Sequence, residues 1–257
     1  MPLRLRQICL VAPELRPAVE DLRSVFGIDV CYVDPTVGQF GLENSVLPVG
    51  SEFLEVVAPV RNDTAAGRYL ERRGGAGGYM FITQCDDAAA RDRHLEALGV
   101  RIALRHRSDE YDLCQLHPRD TGGTFLEIDW QPGGDTDPER WHPAGPEPGR
   151  ARRTDVVGGI LAAELQSPDP EGLARRWSEI SGSSLEEGED GFPTLRLAKG
   201  SVRFVPCADG RPEGLGGVDL AVADRARVLR AAEERQCRVD GDRVLVCGTR
   251  FRLVSQA

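Results

Sequence analysis

Two carboxylates stand where a soluble protein rarely places them. Glu127 lies in the stretch Gly122-Gly123-Thr124-Phe125-Leu126-Glu127-Ile128-Asp129-Trp130, and Glu55 in Gly50-Ser51-Glu52-Phe53-Leu54-Glu55-Val56-Val57. Both stretches read as a glycine turn followed by a strand, since glycine supplies the dihedrals a tight turn needs. Strand alternation puts Phe125, Glu127 and Asp129 on one face and Leu126, Ile128 and Trp130 on the other. The apolar face packs against helices, so the carboxylate face looks elsewhere. A carboxylate in mid-strand on an inward face is costly unless a metal, a proton or a cation answers it. Two copies of Phe-Leu-Glu after a glycine turn point to a repeated unit with one functional carboxylate per copy. The other reading of each, a partly solvated strand carboxylate, stays open at this stage.

The elements that must position these residues recur along the chain. Leu5 to Val11 reads as a strand, and Leu15, Val19, Leu22 and Phe26 recur at helical spacing before Gly27. Asp29 to Val33, Phe40 to Pro48 and Phe53 to Val57 read as three further strands. The same order returns from Tyr79 to Gln84, through a helix capped by Asp86-Asp87 and ended by Gly99, to strands at Val100–Leu104, Tyr111–Leu116 and Thr124–Trp130. A third copy opens at Ile160, with Asp169 before Pro170 at the start of its helix. A shorter fourth runs from Val218 to Val254. Four βαβββ units make an α+β fold. The division expected is a first domain over residues 1–130 (units 1–60 and 76–130), a Pro/Gly-rich linker over 131–155, and a second domain over 156–257. Trp141 and His142 suggest that the linker docks.

Composition narrows the function classes. The chain has 257 residues with a net charge of -9, which argues against nucleic-acid or anionic-membrane binding. No apolar run is long enough to span a bilayer, and no signal-peptide core follows the N-terminus. Seven scattered cysteines without a CxxC pair fit reduced thiols in a cytoplasmic protein.

Gln7-Ile8-Cys9-Leu10-Val11-Ala12-Pro13-Glu14-Leu15, with a helix ending at Phe26-Gly27, resembles the opening of a vicinal oxygen chelate domain, the superfamily of glyoxalase I, bleomycin-resistance proteins, extradiol dioxygenases and methylmalonyl-CoA epimerase. The stretch from Leu116 to Glu127 is similar to the closing strand of the epimerase branch. Phe40-Gly41-Leu42-Glu43-Asn44 and Phe53-Leu54-Glu55 resemble glyoxalase-like domain proteins. The resemblance implies paired units enclosing a cup, with one metal ligand from the first and one from the last strand of each. The matching positions are Gln7, Glu55, Met80 (or its neighbour Tyr79) and Glu127. Gln7, Glu55 and Glu127 would hold a divalent metal, whereas the Met80 thioether is too soft for the cations such oxygens select. The equivalent second-half positions are Ala162, Arg203 or Val205, Gly217 and Arg252. None of them is a ligand, and two inward arginines could hold an anion.

Within this frame Glu55 and Glu127 are the candidate catalytic residues, as metal ligands or as a general base. Asn44 either binds substrate or bonds backbone in a bulge. His117, before Pro118 at the mouth of the last hairpin, is either a substrate-facing acid/base or a loop histidine. Glu43, Glu52 and the acidic run at Glu186-Glu187 read as solvated. The function implied is a glyoxalase-like lyase or isomerase acting on an oxygenated small molecule. The alternative is a non-catalytic binding protein of the bleomycin-resistance kind. Homodimers are common in such folds.

Overall fold

The computed structural model describes residues 2–133, 140–188 and 190–255. The chain opens with β1 (Arg4–Val11), α1 (Leu15–Phe26), β2 (Leu42–Val49) and β3 (Glu52–Pro59). A connecting helix, α2 (Ala65–Arg73), leads to β4 (Gly77–Gln84), α3 (Ala88–Ala97), β5 (Ile102–His106), β6 (Asp112–Leu116) and β7 (Phe125–Trp130). The third repeat comprises β8 (Val157–Ser167), α4 (Pro170–Ser181), β9 (Leu185–Glu187), β10 (Pro193–Arg196) and β11 (Ser201–Pro206). The fourth comprises β12 (Gly214–Val222), α5 (Arg225–Glu234), β13 (Val239–Asp240), β14 (Arg243–Val246) and β15 (Thr249–Ser255). This is the α+β arrangement of repeats that the sequence predicts. Among the described residues no helix is long and apolar enough to cross a membrane.

Local chemistry explains the helix limits. The carboxylate of Asp87 accepts the Ala90 N–H at the start of α3, and that of Asp169 accepts the Gly172 N–H at the start of α4. Gly27 and Gly182 close α1 and α4 in the left-handed conformation. The expected strand Asp29–Val33 is reduced to one bridge, Tyr32 opposite Val46. Pro35 opens a 3-10 turn directly after it, and Asp34 caps that turn through the Thr36 N–H. Two short strands, β9 and β13, have too few residues to show a period. β9 carries the exposed Glu186 and Glu187 on the outermost strand of its sheet, where charge discourages edge pairing.

The strands of the first half form one mixed sheet in the order β2-β3-β1-β4-β7-β6-β5. Those of the second half form another, β13-β14-β15-β12-β8-β11-β10-β9. The sheets thus follow the two halves of the sequence, whereas the compact units do not. One unit gathers the residues up to Gln7, the segment from Tyr79 through β7, and Ala162–Leu215. The other gathers Ile8–Gly78, the segment from Arg140 to Leu161, and the chain from Gly216 onward. Each unit therefore combines one repeat of the first half with one of the second.

In the first unit, Trp177 of α4 lies edge-on to Phe81 and Phe204, with centroids 5.6 and 5.9 Å away, and its indole N–H donates to the Thr121 carbonyl. Trp177 is thus a core residue. In the second unit the rings of Phe26 and Phe251 are 4.7 Å apart. Trp141, from the expected linker, is fully buried there. The Cys31 thiol in the same unit reaches the Ala144 carbonyl. The linker stretch from Trp141 is therefore docked; its residues 134–139 lie outside the described residues.

Candidate functional site

In the first unit, Gly122 and Gly123 take φ of 71° and 76° and turn the chain into β7. A side chain at Gly123 would come within 2.5 Å of the Glu213 carbonyl, so this turn tolerates only glycine. Glu127 then sits in mid-strand, 3% exposed. Its register partners are Ile82 on the parallel β4 and Gln115 on the antiparallel β6. The Gln115 amide nitrogen donates to Glu127 Oε2 at 2.9 Å. An ionised carboxylate only accepts, so the amino end of the amide must face it. The same nitrogen lies 3.9 Å from Met80 Sδ. The Thr83 hydroxyl donates to the Glu127 carbonyl and fixes the backbone beneath the side chain.

Asp129, two residues on, shares that face and is completely buried. The Tyr111 hydroxyl donates to its Oδ2 at 2.5 Å, while Oδ1 meets no donor among the described residues. Burial first, and the neighbouring Glu127 charge next, push the Asp129 carboxyl well above the usual carboxylate range. Tyr111 acts against this shift by bonding the charged form.

Gln7 belongs to the same unit and is buried. Tyr79 packs edge-on to Phe125, with centroids 5.2 Å apart. His117 caps the 3-10 turn Pro118–Asp120, its Nδ1 accepting the Arg119 N–H at 3.2 Å. Its backbone N–H donates to the Arg101 carbonyl.

The second unit holds Glu55 in a comparable way. Asn44 of β2 donates its amide nitrogen to Glu55 Oε1 at 2.6 Å, and its amide oxygen accepts the Asp34 N–H at 2.9 Å. Both ends of the Asn44 amide are matched, which fixes its orientation and that of Glu55. In each of the first two repeats, then, a carboxylate on the closing strand is held by a carboxamide on the strand before it. Glu52 departs from expectation. It is buried, not solvated, because Oε2 accepts the Ile160 N–H and Oε1 the Ser51 hydroxyl, donors that answer its charge.

The second-half arginines do not present free positive charge. In the first unit, Arg203 of β11 lies opposite Glu164 of β8 and pairs with it at 3.1 Å, with Asp190 at 3.4 Å. In the second unit, Arg252 of β15 lies opposite Asp219 of β12, at 3.7 Å, and reaches Asp242 at 3.3 Å. Both arginines that could have held an anion already have carboxylate counter-charges. Each arginine faces a carboxylate on the opening strand of its own repeat.

The donors present make a poor metal centre. At the family's ligand positions the first unit supplies a neutral amide (Gln7), a thioether (Met80) and one carboxylate already bonded by Gln115. Among the described residues no three His, Cys, Asp or Glu side chains converge as ligands.

Alternation along β7 places Phe125, Glu127 and Asp129 on one face without distinguishing Asp129. Gln115 and Tyr111 carry no local signal, since Gln115 meets Glu127 only through the register of β6 against β7.

Two mixed sheets built from four repeats of a strand, a helix and further strands make a tandem fold of the vicinal oxygen chelate kind. The chain belongs to the glyoxalase-like domain family, whose model matches residues 8–181. The fold is similar to that of a hypothetical protein from Staphylococcus aureus, at 12% identity and a TM-score of 0.70 over 100% of both chains. It is also similar to a mutant of 4-hydroxymandelate synthase from Streptomyces coelicolor, at 18% identity and a TM-score of 0.67, covering 93% of this chain and 78% of that one. Methylmalonyl-CoA epimerase from Streptomyces coelicolor aligns with 52% of this chain and 98% of its own, at 21% identity and a TM-score of 0.46. No curated protein matches the sequence.

Proposed function

We propose that this protein is a small-molecule lyase or isomerase that moves a proton on an oxygenated metabolite, with Glu127 as the carboxylate that takes it. The observation that carries this reading is the setting of Glu127: buried in mid-strand, aimed by Gln115, and next to a second carboxyl, Asp129, held by Tyr111. A general base must be desolvated and oriented to remove a weakly acidic proton beside a carbonyl. Gln115 orients Glu127, and Tyr111 fixes Asp129. Glu55, held by Asn44, is the equivalent carboxylate of the second unit, and with Asn44 it forms that unit's own candidate ligand-binding pair.

The test is solvent-deuterium exchange followed by proton NMR, with a panel of α-hydroxy ketones, 2-oxo acids and acyl thioesters. Wild type exchanges the α proton of at least one class. Glu127→Gln slows that exchange by about 10²- to 10⁴-fold, the usual contribution of a positioned base. Binding seen by thermal shift, with no exchange in any class, would overturn the enzymatic reading. It would favour the second one, sequestration of a cationic small molecule by the buried carboxylates. The poor ligand set around Met80 is the observation on that side.

A further inference from the structure

We infer that the Glu127 face works without a resident divalent metal, the Gln115 amide standing where a cation would otherwise neutralise the carboxylate. This rests on Glu127 being the site carboxylate of the function proposed above.

The argument is one of geometry and donor chemistry. Strand register brings Met80, Gln115 and Glu127 to one face of the sheet: Met80 is opposite Phe125, and Gln115 opposite Glu127. The gap between the Met80 sulfur and the Glu127 carboxylate is taken by the Gln115 amide nitrogen, 3.9 Å from the one and 2.9 Å from the other. That nitrogen turns its hydrogens, the positive end of the amide dipole, toward Oε2, as a cation would turn its charge. A divalent ion placed there would meet those hydrogens on one side and a soft thioether on another. Oxygen-selective cations such as Mg²⁺ and Mn²⁺ bind thioethers poorly. Among the described residues no three His, Cys, Asp or Glu side chains converge to compensate. Gln115 is therefore a positioning residue: it acts on substrate through Glu127.

The experiment needs no substrate, so its failure is separable from failure of the proposed activity. Untagged full-length protein is incubated with Mn²⁺, Co²⁺ or Zn²⁺, desalted, and analysed for metal by mass spectrometry, with Glu127→Gln in parallel. The expected result is no metal in wild type beyond the level in Glu127→Gln. Stoichiometric metal held by wild type and lost in Glu127→Gln would overturn the inference; metal retained equally by both lies elsewhere in the chain and leaves it standing.

A second arm removes the two features held responsible. Met80→His/Gln115→Ala, checked for folding by circular dichroism, is expected to take up stoichiometric Co²⁺ with a visible absorption band. Met80→His alone replaces it should the double variant not fold. A folded variant that binds no more Co²⁺ than wild type would overturn the role given to the thioether and the amide.

Discussion

The ion pair between Arg203 and Glu164 allows a quantitative test of how the second half holds a buried charge. The two side chains are 8% and 7% exposed and lie opposite each other on parallel strands, 3.1 Å apart. Arg203→Met keeps most of the side-chain stem and removes the guanidinium, leaving the Glu164 carboxylate buried without its main counter-charge. Removing one partner of a buried pair costs about 3–5 kcal/mol, because the remaining charge stays desolvated. For a chain of this size each kcal/mol lowers the melting temperature by about 2–4 °C, so the drop should be about 6–20 °C. Glu164→Leu/Arg203→Met removes both charges and should return stability to within about 2 kcal/mol of wild type, or above it. The control is Arg196→Met. Arg196 pairs with Glu186 at 2.5 Å, but the two are 59% and 45% exposed, and such a pair is worth about 0.2–1 kcal/mol. Melting followed by circular dichroism is sufficient. A drop for Arg203→Met no larger than that for Arg196→Met, or a double variant as unstable as the single, would refute the reasoning.

Three further predictions concern other elements. Asn44→Ala removes the 2.6 Å bond to Glu55 and should destabilise by about 1.5–3 kcal/mol, the range for a bond to a charged group; an unchanged melting temperature would contradict the clamp. Asp129→Asn should become increasingly stable relative to wild type as pH rises. The folded-state pKa of Asp129 lies above its unfolded value, so its favourable contribution is complete at low pH and is lost as pH climbs through the folded value. Melting curves from the unfolded carboxyl value of about 4 upward measure the difference, and a flat difference would count against a raised Asp129. Trp141→Ala empties a fully buried indole site and should cost about 3–5 kcal/mol in chemical denaturation; a small effect would mean that the segment is not part of the core.

The repeats were legible because hydrophobic periodicity and glycine stops are local signals. Leu15, Val19, Leu22 and Phe26 form the buried face of α1 as their spacing suggests, and Gly27 ends it. Asp29–Val33 misled because its apolar residues resemble a strand, while Pro35 and the Asp34 cap divert the chain after one bridge. Glu127 could be singled out by alternation alone. What holds it could not, because Gln115 becomes its neighbour only through the register of β6 against β7. The same limit applies to Arg203, whose inward placement could be suspected while its partner Glu164 lies on a strand far back in the sequence. Glu52 shows the reverse error: a carboxylate beside a turn looks solvated until the Ile160 N–H is known to reach it.

The mixed membership of the compact units bears on how the chain comes to be folded during synthesis. Phe26 leaves the ribosome some 225 residues before Phe251, against which its ring packs. Phe81 likewise waits for Trp177. Such distant pairings delay folding, because the loop between the partners must close before the contact forms. The first-half sheet can assemble early, yet Phe26 and Phe81 lack their ring partners until the second half is made. Nascent chains stalled near the Pro/Gly-rich stretch should therefore be strong chaperone clients, and emergence of β15 should mark the point at which the second unit closes.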